Sequence, residues 1–327
     1  MDRRRCCAGM ATLGLLAAWP WPAVRAAGRV VVHVQDNFGL RALPLRLAER
    51  LGYCAQEGVV LRWTPEPTEE GTAQEGGSAA VYLLSLDRLA RRVLAGADLR
   101  VAAALVRAPQ FAIGVSAQTG ELSADFWREA RVGVPLGQEV AAQLAARVLA
   151  QGWSSAPVHW WPLETPDAAV QALQRGTVQA LVWGDPLLTR LERAGALRLL
   201  ADLRHPQQAQ RWLGGPLLCA VLAAEAAQFD AHGEVLRRLV AALQRALAWL
   251  HAASSVDLAV HADVAGLAQD RATFLGVVER LRPTYSVEAA VPLGALRHSL
   301  RLLASLPGGL AYQTLDPLRL LPSRGWT

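Results

Sequence analysis

The feature that most constrains this chain is an alternation of short apolar runs and helical patterning that starts, breaks off and starts again. Arg29-Val30-Val31-Val32-His33-Val34 is a β-branched run of the kind that reads as a buried strand. Gln35-Asp36-Asn37-Phe38-Gly39 follows as a polar turn. Leu43, Leu45, Leu47, Ala48 and Leu51 then recur at near-helical spacing, with Gly52 placed to end the helix. Val59 to Trp63 reads as a second strand. Strand, helix, strand argues for a parallel sheet, because parallel neighbours need a long crossover.

Further strands are expected at Ala79–Leu83, Leu99–Val106 and Phe111–Val115, with Ser85 placed to cap a helix over Leu86–Leu94. The pattern then restarts. Strands at Arg131–Val134, Val158–Trp161, Val178–Trp183 and Leu197–Leu200 alternate with helices at Gly137–Leu149, Pro166–Leu173 and Pro186–Leu191. Thr165 fits an N-cap, and Pro166 stands at a first turn, where its missing N–H costs nothing. A late strand at Leu217–Leu222 is followed mostly by helices. In Glu234–Leu250, Leu236, Leu239, Leu243 and Leu247 share one face, with Arg237, Arg238 and Arg245 on the other.

A simple tandem of two units leaves the late strand unexplained. A chain that crosses into a second lobe near Val115–Glu121 and returns near Arg204–Gly215 accounts for it. The expected fold is therefore α/β, with two lobes, a hinge and a ligand cleft between them. Residues 27–116 would form the first part of lobe 1, 117–212 lobe 2, and 213–327 the mostly helical second part of lobe 1 and a tail.

Residues 1–26 read as an export signal. Arg3, Arg4 and Arg5 supply a positive start, Cys6 to Trp19 is uncharged and apolar, and Val24-Arg25-Ala26 offers a cleavage site. The arginine pair fits the twin-arginine route as well as the general secretory one. Removing residues 1–26 takes four arginines and Asp2, so the net charge of +5 falls to +2. That balance, without a basic stripe carrying interleaved aromatics, gives no support for nucleic-acid binding. Cys54 and Cys219 remain. Either a single disulfide or two buried thiols fits them.

At 52% hydrophobic and 19% charged, the 327-residue chain is not a disordered one. Beyond the N-terminus it has no uncharged apolar run of about 18 residues. It contains no lysine at all. An internal aldimine with pyridoxal phosphate needs a lysine amine, and a Walker phosphate loop needs Gly-Lys-Ser or Gly-Lys-Thr, so both chemistries are excluded. No Gly-X-Ser-X-Gly elbow surrounds Ser78, and neither His-X-His, His-X-X-X-His nor a Cys-X-X-Cys is present. The sequence thus points to no catalytic residue, no metal and no cofactor.

Leu43-Pro44-Leu45, Ala48-Glu49, Leu51-Gly52-Tyr53 and Gln56-Glu57-Gly58-Val59 resemble the opening of the periplasmic solute-binding proteins of the sulfonate/nitrate/taurine and thiamine-precursor group. Ala169-Val170-Gln171-Ala172-Leu173, Gly176-Thr177-Val178-Gln179-Ala180 and Trp183-Gly184-Asp185-Pro186 resemble that group's second-lobe segments. The segment Arg198 to Arg204 and the run from Gly214 to Leu250 fit as well. The departures are Gly77-Ser78-Ala79-Ala80 and Gln179, where the group often carries aspartate, and Cys54 in place of a phenylalanine. The resemblance implies a type II periplasmic-binding-protein fold, a small organic anion or related solute as ligand, an ABC permease as partner, a periplasmic location and a monomer. The alternative is an enzyme or sensor module using the same fold without pyridoxal phosphate.

A cleft anion needs several convergent donors, which helix N-termini and loops after strands supply. The candidate ligand-binding residues are Asp36, Asn37 and Phe38; Leu84 and Ser85; Gln110; Gly137 and Gln138; and Trp183 and Asp185. Ser85 can equally be only a cap, Asp185 a turn residue and Gln138 a solvated side chain. Trp160 and Trp161 alternate across a strand, so one of the two is expected in the core, and Trp183 is the tryptophan favoured for the cleft.

Overall fold

The computed structural model describes residues 28–35, 39–66, 77–154, 156–267, 270–323 and 326. The expected export segment, residues 1–26, lies outside them, as do Asp36, Asn37 and Phe38.

The chain opens with β1 (Gly28–Val34), whose three consecutive valines are buried on both faces of a sheet. Helix α1 (Leu43–Arg50) and the single turn α2 (Tyr53–Gln56) carry it to β2 (Val59–Pro65). Gly52, between the helices, sits at φ 74° and donates its N–H to the Glu49 carbonyl. Glycine enters that left-handed region without steric cost, so α1 stops there. Next come β3 (Ala79–Leu84), α3 (Leu86–Leu94) and β4 (Leu99–Val106).

The second series is β5 (Phe111–Ser116), α4 (Ala124–Glu129), β6 (Arg131–Pro135), α5 (Glu139–Gly152), β7 (His159–Leu163), α6 (Pro166–Gln174), β8 (Ala180–Gly184), α7 (Leu187–Arg193), β9 (Leu197–Asp202) and α8 (Pro206–Leu213). Thr165 caps α6 as expected, its hydroxyl accepting the N–H of Ala168 at 3.1 Å. The chain ends with β10 (Ala220–Glu225), α9 (Ala226–Ala252), α10 (Ser255–Ala259), α11 (Arg271–Leu281) and α12 (Leu293–Ala304). Helix α9 begins eight residues before Glu234, with a break at His232 (φ −129°) just ahead of Gly233. The regular apolar periodicity covers only the part after that break.

Two five-stranded sheets result, ordered β2-β1-β3-β10-β4 and β7-β6-β8-β5-β9. β1 runs parallel to β2 and β3, with Val30 opposite Leu61 and Ala79. β6 runs parallel to β7 and β8. In each sheet the fourth strand is antiparallel to both neighbours: β10 between β3 and β4, β5 between β8 and β9. Each of these is the strand reached by crossing from the other lobe. The late strand therefore does return to the first sheet. The outward crossing was expected near Val115–Glu121, but it falls at residues 107–110. The apolar run Phe111–Val115, assigned to the first lobe up to residue 116, belongs to the second sheet. Its pattern is that of any buried strand and does not reveal which sheet it joins.

One face of the first sheet packs on α1, α9 and α11 through residues such as Leu45, Leu243 and Phe274. One face of the second packs on α6 and α7 through Leu173 and Leu188. The remaining faces share a continuous apolar cluster that includes Leu89 of α3, Val148 of α5 and Leu300 of α12. The C-terminal segment touches both lobes. Leu218 donates its N–H to Ser299 Oγ at 2.9 Å, and Arg147 of α5 donates to Ser305 Oγ at 3.2 Å.

Candidate functional site

The parallel strands of both sheets aim their C-terminal ends at one another, and a cavity of about 430 Å³ lies between them. Gln35, Ser85 and Gln110 line it from the ends of β1, β3 and the outward crossing. Leu136, Glu164 and Asp185 line it from the ends of β6, β7 and β8. This is where open α/β sheets place ligands, because the loops that leave the strand ends carry unpaired backbone groups and side chains.

Among the candidate residues, Ser85, Gln110, Gly137, Gln138, Trp183 and Asp185 stand on the cavity wall. Asp36, Asn37 and Phe38 lie outside the described residues. Leu84 does not reach the cavity. It is fully buried in the shared apolar cluster, because its side chain leaves β3 toward α3 and the second lobe's helices.

The wall residues differ in what they offer. Ser85 makes no side-chain cap on α3. Its N–H and hydroxyl instead donate to Gln35 Oε1, at 2.9 and 3.1 Å, which ties the ends of β1 and β3 together. Gln110 donates from its amide to Thr284 Oγ1 at 2.9 Å, next to Tyr285, whose hydroxyl donates to the Leu40 carbonyl at 2.9 Å. Burial pushes the Tyr285 hydroxyl well above its usual range. Gly137 has φ 75° with open space where a Cβ would stand, so it lets the backbone turn sharply at the rim. Trp183 is 8% exposed, and most of its ring packs with Leu163 and Leu187, so it forms the cavity floor as part of a core. Trp160 packs against the shared cluster, and Trp161 is exposed with Arg131 against its ring. Neither lines the cavity.

Asp185 is on the wall, but its carboxylate is fully engaged. Oδ1 accepts from the Thr189 N–H and hydroxyl at 3.0 and 2.8 Å, and Oδ2 accepts from Arg204 at 2.8 Å. Arg204 is 1% exposed and also donates twice to Asp202, each bond 2.8 Å long. Burial opposes its charge, yet the hydrogen bonds it donates to Asp202 and the charges of Asp185 and Asp202 outweigh that and hold its protonation firm. This buried triad braces the second-lobe wall from behind.

Several wall residues were not among the candidates. Arg41 lies in the turn Gly39–Ala42, and Arg88 and Arg91 lie on α3. Burial holds the Arg41 guanidinium below its ordinary pKa, while Cys219 and Asp87 act the other way; an arginine there still carries its charge. Arg88 is held by Glu66 at 2.7 Å, and Arg91 by Asp87 at 3.0 Å and the Tyr312 hydroxyl at 3.1 Å. Glu139 and Glu164 face them from the second lobe. Cys219 also lines the cavity. It and Cys54 are free thiols, so the two are not bonded to each other. Burial pushes the Cys219 thiol up to about 12, and its Sγ donates to the Leu217 carbonyl at 3.3 Å. Arg88 and Arg91 escape a strand-end search because they lie within α3, and Cys219 because it lies on the chain's return path. Among the described residues no cluster of His, Cys, Asp or Glu could hold a metal ion, and no helix is long and apolar enough to cross a membrane.

Two sheets with exchanged strands and a cavity at their facing edges define the type II periplasmic-binding-protein fold. No protein-family model matches the chain, and no curated protein matches it by sequence. Solved structures do match. A protein from Bordetella bronchiseptica RB50 superimposes with a TM-score of 0.67 at 21% identity, over 93% of this chain and 96% of that one. The alkanesulfonate-binding protein SsuA from Xanthomonas axonopodis pv. citri, bound to MOPS, gives 0.61 at 20% identity over 91% and 96%. The desulfurization enzyme DSZB gives 0.61 at 14% identity over 91% and 97%. At these identities the likeness is one of fold, and that fold is shared by binding proteins and an enzyme.

Proposed function

We propose that this chain is the extracytoplasmic solute-binding component of an ABC importer. It would hold a small organic solute between its lobes and hand it unaltered to a membrane permease. The observation that carries this reading is the inter-lobe cavity, lined from both sheets at their strand C-terminal ends. The sulfonate-binding protein among its structural neighbours supports the role, as does the arginine-led, apolar N-terminal segment, which would direct export to the periplasm. The chain would act as a monomer, since one copy supplies both walls.

The likeness to DSZB raises an enzymatic alternative. Cys219, the one cysteine on the cavity wall among the described residues, is poorly suited to it. A thiol pushed up to about 12 is almost wholly protonated at neutral pH and a weak nucleophile. A thermal-shift screen against alkanesulfonates, nitrate, aromatic acids and pyrimidines tests the reading, with each hit recovered and weighed by mass spectrometry. A ligand at a hundred times its Kd should add about 2.7 kcal/mol of stability and come back unchanged. Chemical conversion of the hit, or no hit from any class, would contradict the proposal.

A further inference from the structure

The two lobes meet on both faces of their sheets, and the two junctions differ in kind. On one face α12 packs through Leu296, Leu300 and Leu303 into the cluster it shares with Val148 of α5 and Leu213 of α8, so this junction is continuous apolar core. On the other face α11 of the first lobe lies against α7 of the second. Among the described residues their buried apolar side chains stay in separate clusters, Phe274 and Leu281 with the first sheet, Leu188 and Leu191 with the second. Charge joins them instead. Arg190 of α7 meets Asp270, the cap of α11, at 3.4 Å, and Arg280 of α11 donates to Glu192 of α7. Glu192 also lies 3.6 Å from Arg204, behind Asp185. The helices approach closely, since a Cβ added at Gly276 of α11 would stand 3.6 Å from Thr189 Cγ2.

The two junctions answer water differently. Parting α12 from the lobes would expose buried leucines, which the hydrophobic effect resists. Parting α7 from α11 would exchange ion pairs for hydration. Arg190, Asp270 and Arg280 are already partly exposed, so that exchange costs little and less still as salt rises. The charged seam also borders the cavity, because Leu281 at the end of α11 and Asp185 just ahead of α7 both stand on its wall. We infer that the α7–α11 seam is the opening edge of the cavity, a latch of two ion pairs that parts while α12 keeps the other face packed. The cavity opens to solvent along this edge, and ionic strength sets how far.

Small-angle X-ray scattering of the full chain, with no solute added, reads the separation of the lobes. In the Arg190→Gln, Arg280→Gln double variant Asp270 keeps its cap on Thr273 and Glu192 keeps Arg204, so the fold stands, which circular dichroism checks. Its radius of gyration at low salt should exceed that of the unmodified chain. The Arg190→Lys, Arg280→Lys variant, which retains both charges, should match the unmodified chain. Arg147→Gln, which cuts a contact on the α12 face, should match it too. The unmodified chain should itself expand as salt rises from about 0.01 M to about 1 M, over which the screening length falls from about 30 Å to about 3 Å. A glutamine double variant no larger than the unmodified chain overturns the inference. So does equal expansion in the lysine variant or in Arg147→Gln, and so does scattering of the unmodified chain that ignores salt, a measurement that needs no variant. All of these are read without solute, so the solute-binding reading stands or falls on its own screen.

Discussion

Arg204 shows how one buried charge shapes a site without touching a guest. Its guanidinium, all but sealed from solvent, holds the equally buried Asp185 at the end of β8 and the partly exposed Asp202 at the end of β9. Removing one partner of such a cluster strands the others' charge in a poorly solvated place. Arg204→Met should therefore lower stability by about 3–5 kcal/mol, read from urea unfolding. Asp125→Ala, which breaks an exposed pair with Arg128, should change it by less than about 1 kcal/mol. Similar losses in the two variants would mean that the buried cluster is not the brace described here. His33 is a second residue with a measurable signature. Burial holds its pKa below the ordinary value; Arg92 acts in the same direction, while the Pro65 backbone and Glu66 oppose it. The folded state thus favours the neutral ring, stacked on Tyr82 at 5.0 Å. The unfolded chain takes up this proton first as pH falls. The contribution is complete above about pH 6.5 and is lost as pH drops from there through the lower folded value. The decline in the urea midpoint between about pH 7.5 and pH 5 should shrink in His33→Gln; an unchanged decline would contradict the burial effect.

At the scale of elements, the two crossing strands decide the architecture, and close packing marks where they lie. β5 runs between β8 and β9, and a Cβ added at Gly114 would run into the Leu197 side chain of β9. Gly114→Ala should cost about 1–3 kcal/mol as overpacking. Gly120→Ala, in open space just beyond the strand, should stay within about 0.5 kcal/mol. Equal effects at the two positions would argue against this placement of β5. The same strand shows what could be read from residues alone. Strand positions were legible because β-branched runs between turn residues have few other solutions. The sheet that Phe111–Val115 joins was not, since burial on both faces erases the alternation that would orient it. Helix α6 was legible from Thr165 and Pro166, whereas α4 and α8, each of eight residues or fewer, went unread.

At the scale of the molecule, the return of β10 to the first sheet makes two connections between the lobes and places both sets of strand ends around one cavity. The cavity's location was legible from that topology, and its chemistry only in part. Loops after strands pointed to Ser85, Gln110, Gly137, Gln138, Trp183 and Asp185. Arg41, Glu139, Glu164 and Cys219 reach the wall through a turn, a helix start, a loop and the return path, where sequence spacing carries no distance information. Leu84, one residue from Ser85, faces the other way by strand alternation. The most direct test of a guest held between the lobes is amide hydrogen exchange with and without a saturating hit. The account predicts slower exchange on both walls together, at Leu40–Ala42 and the start of α3 in one lobe and at Leu136–Val140 and the start of α6 in the other. Protection confined to one lobe, or found away from these strand ends, would contradict it.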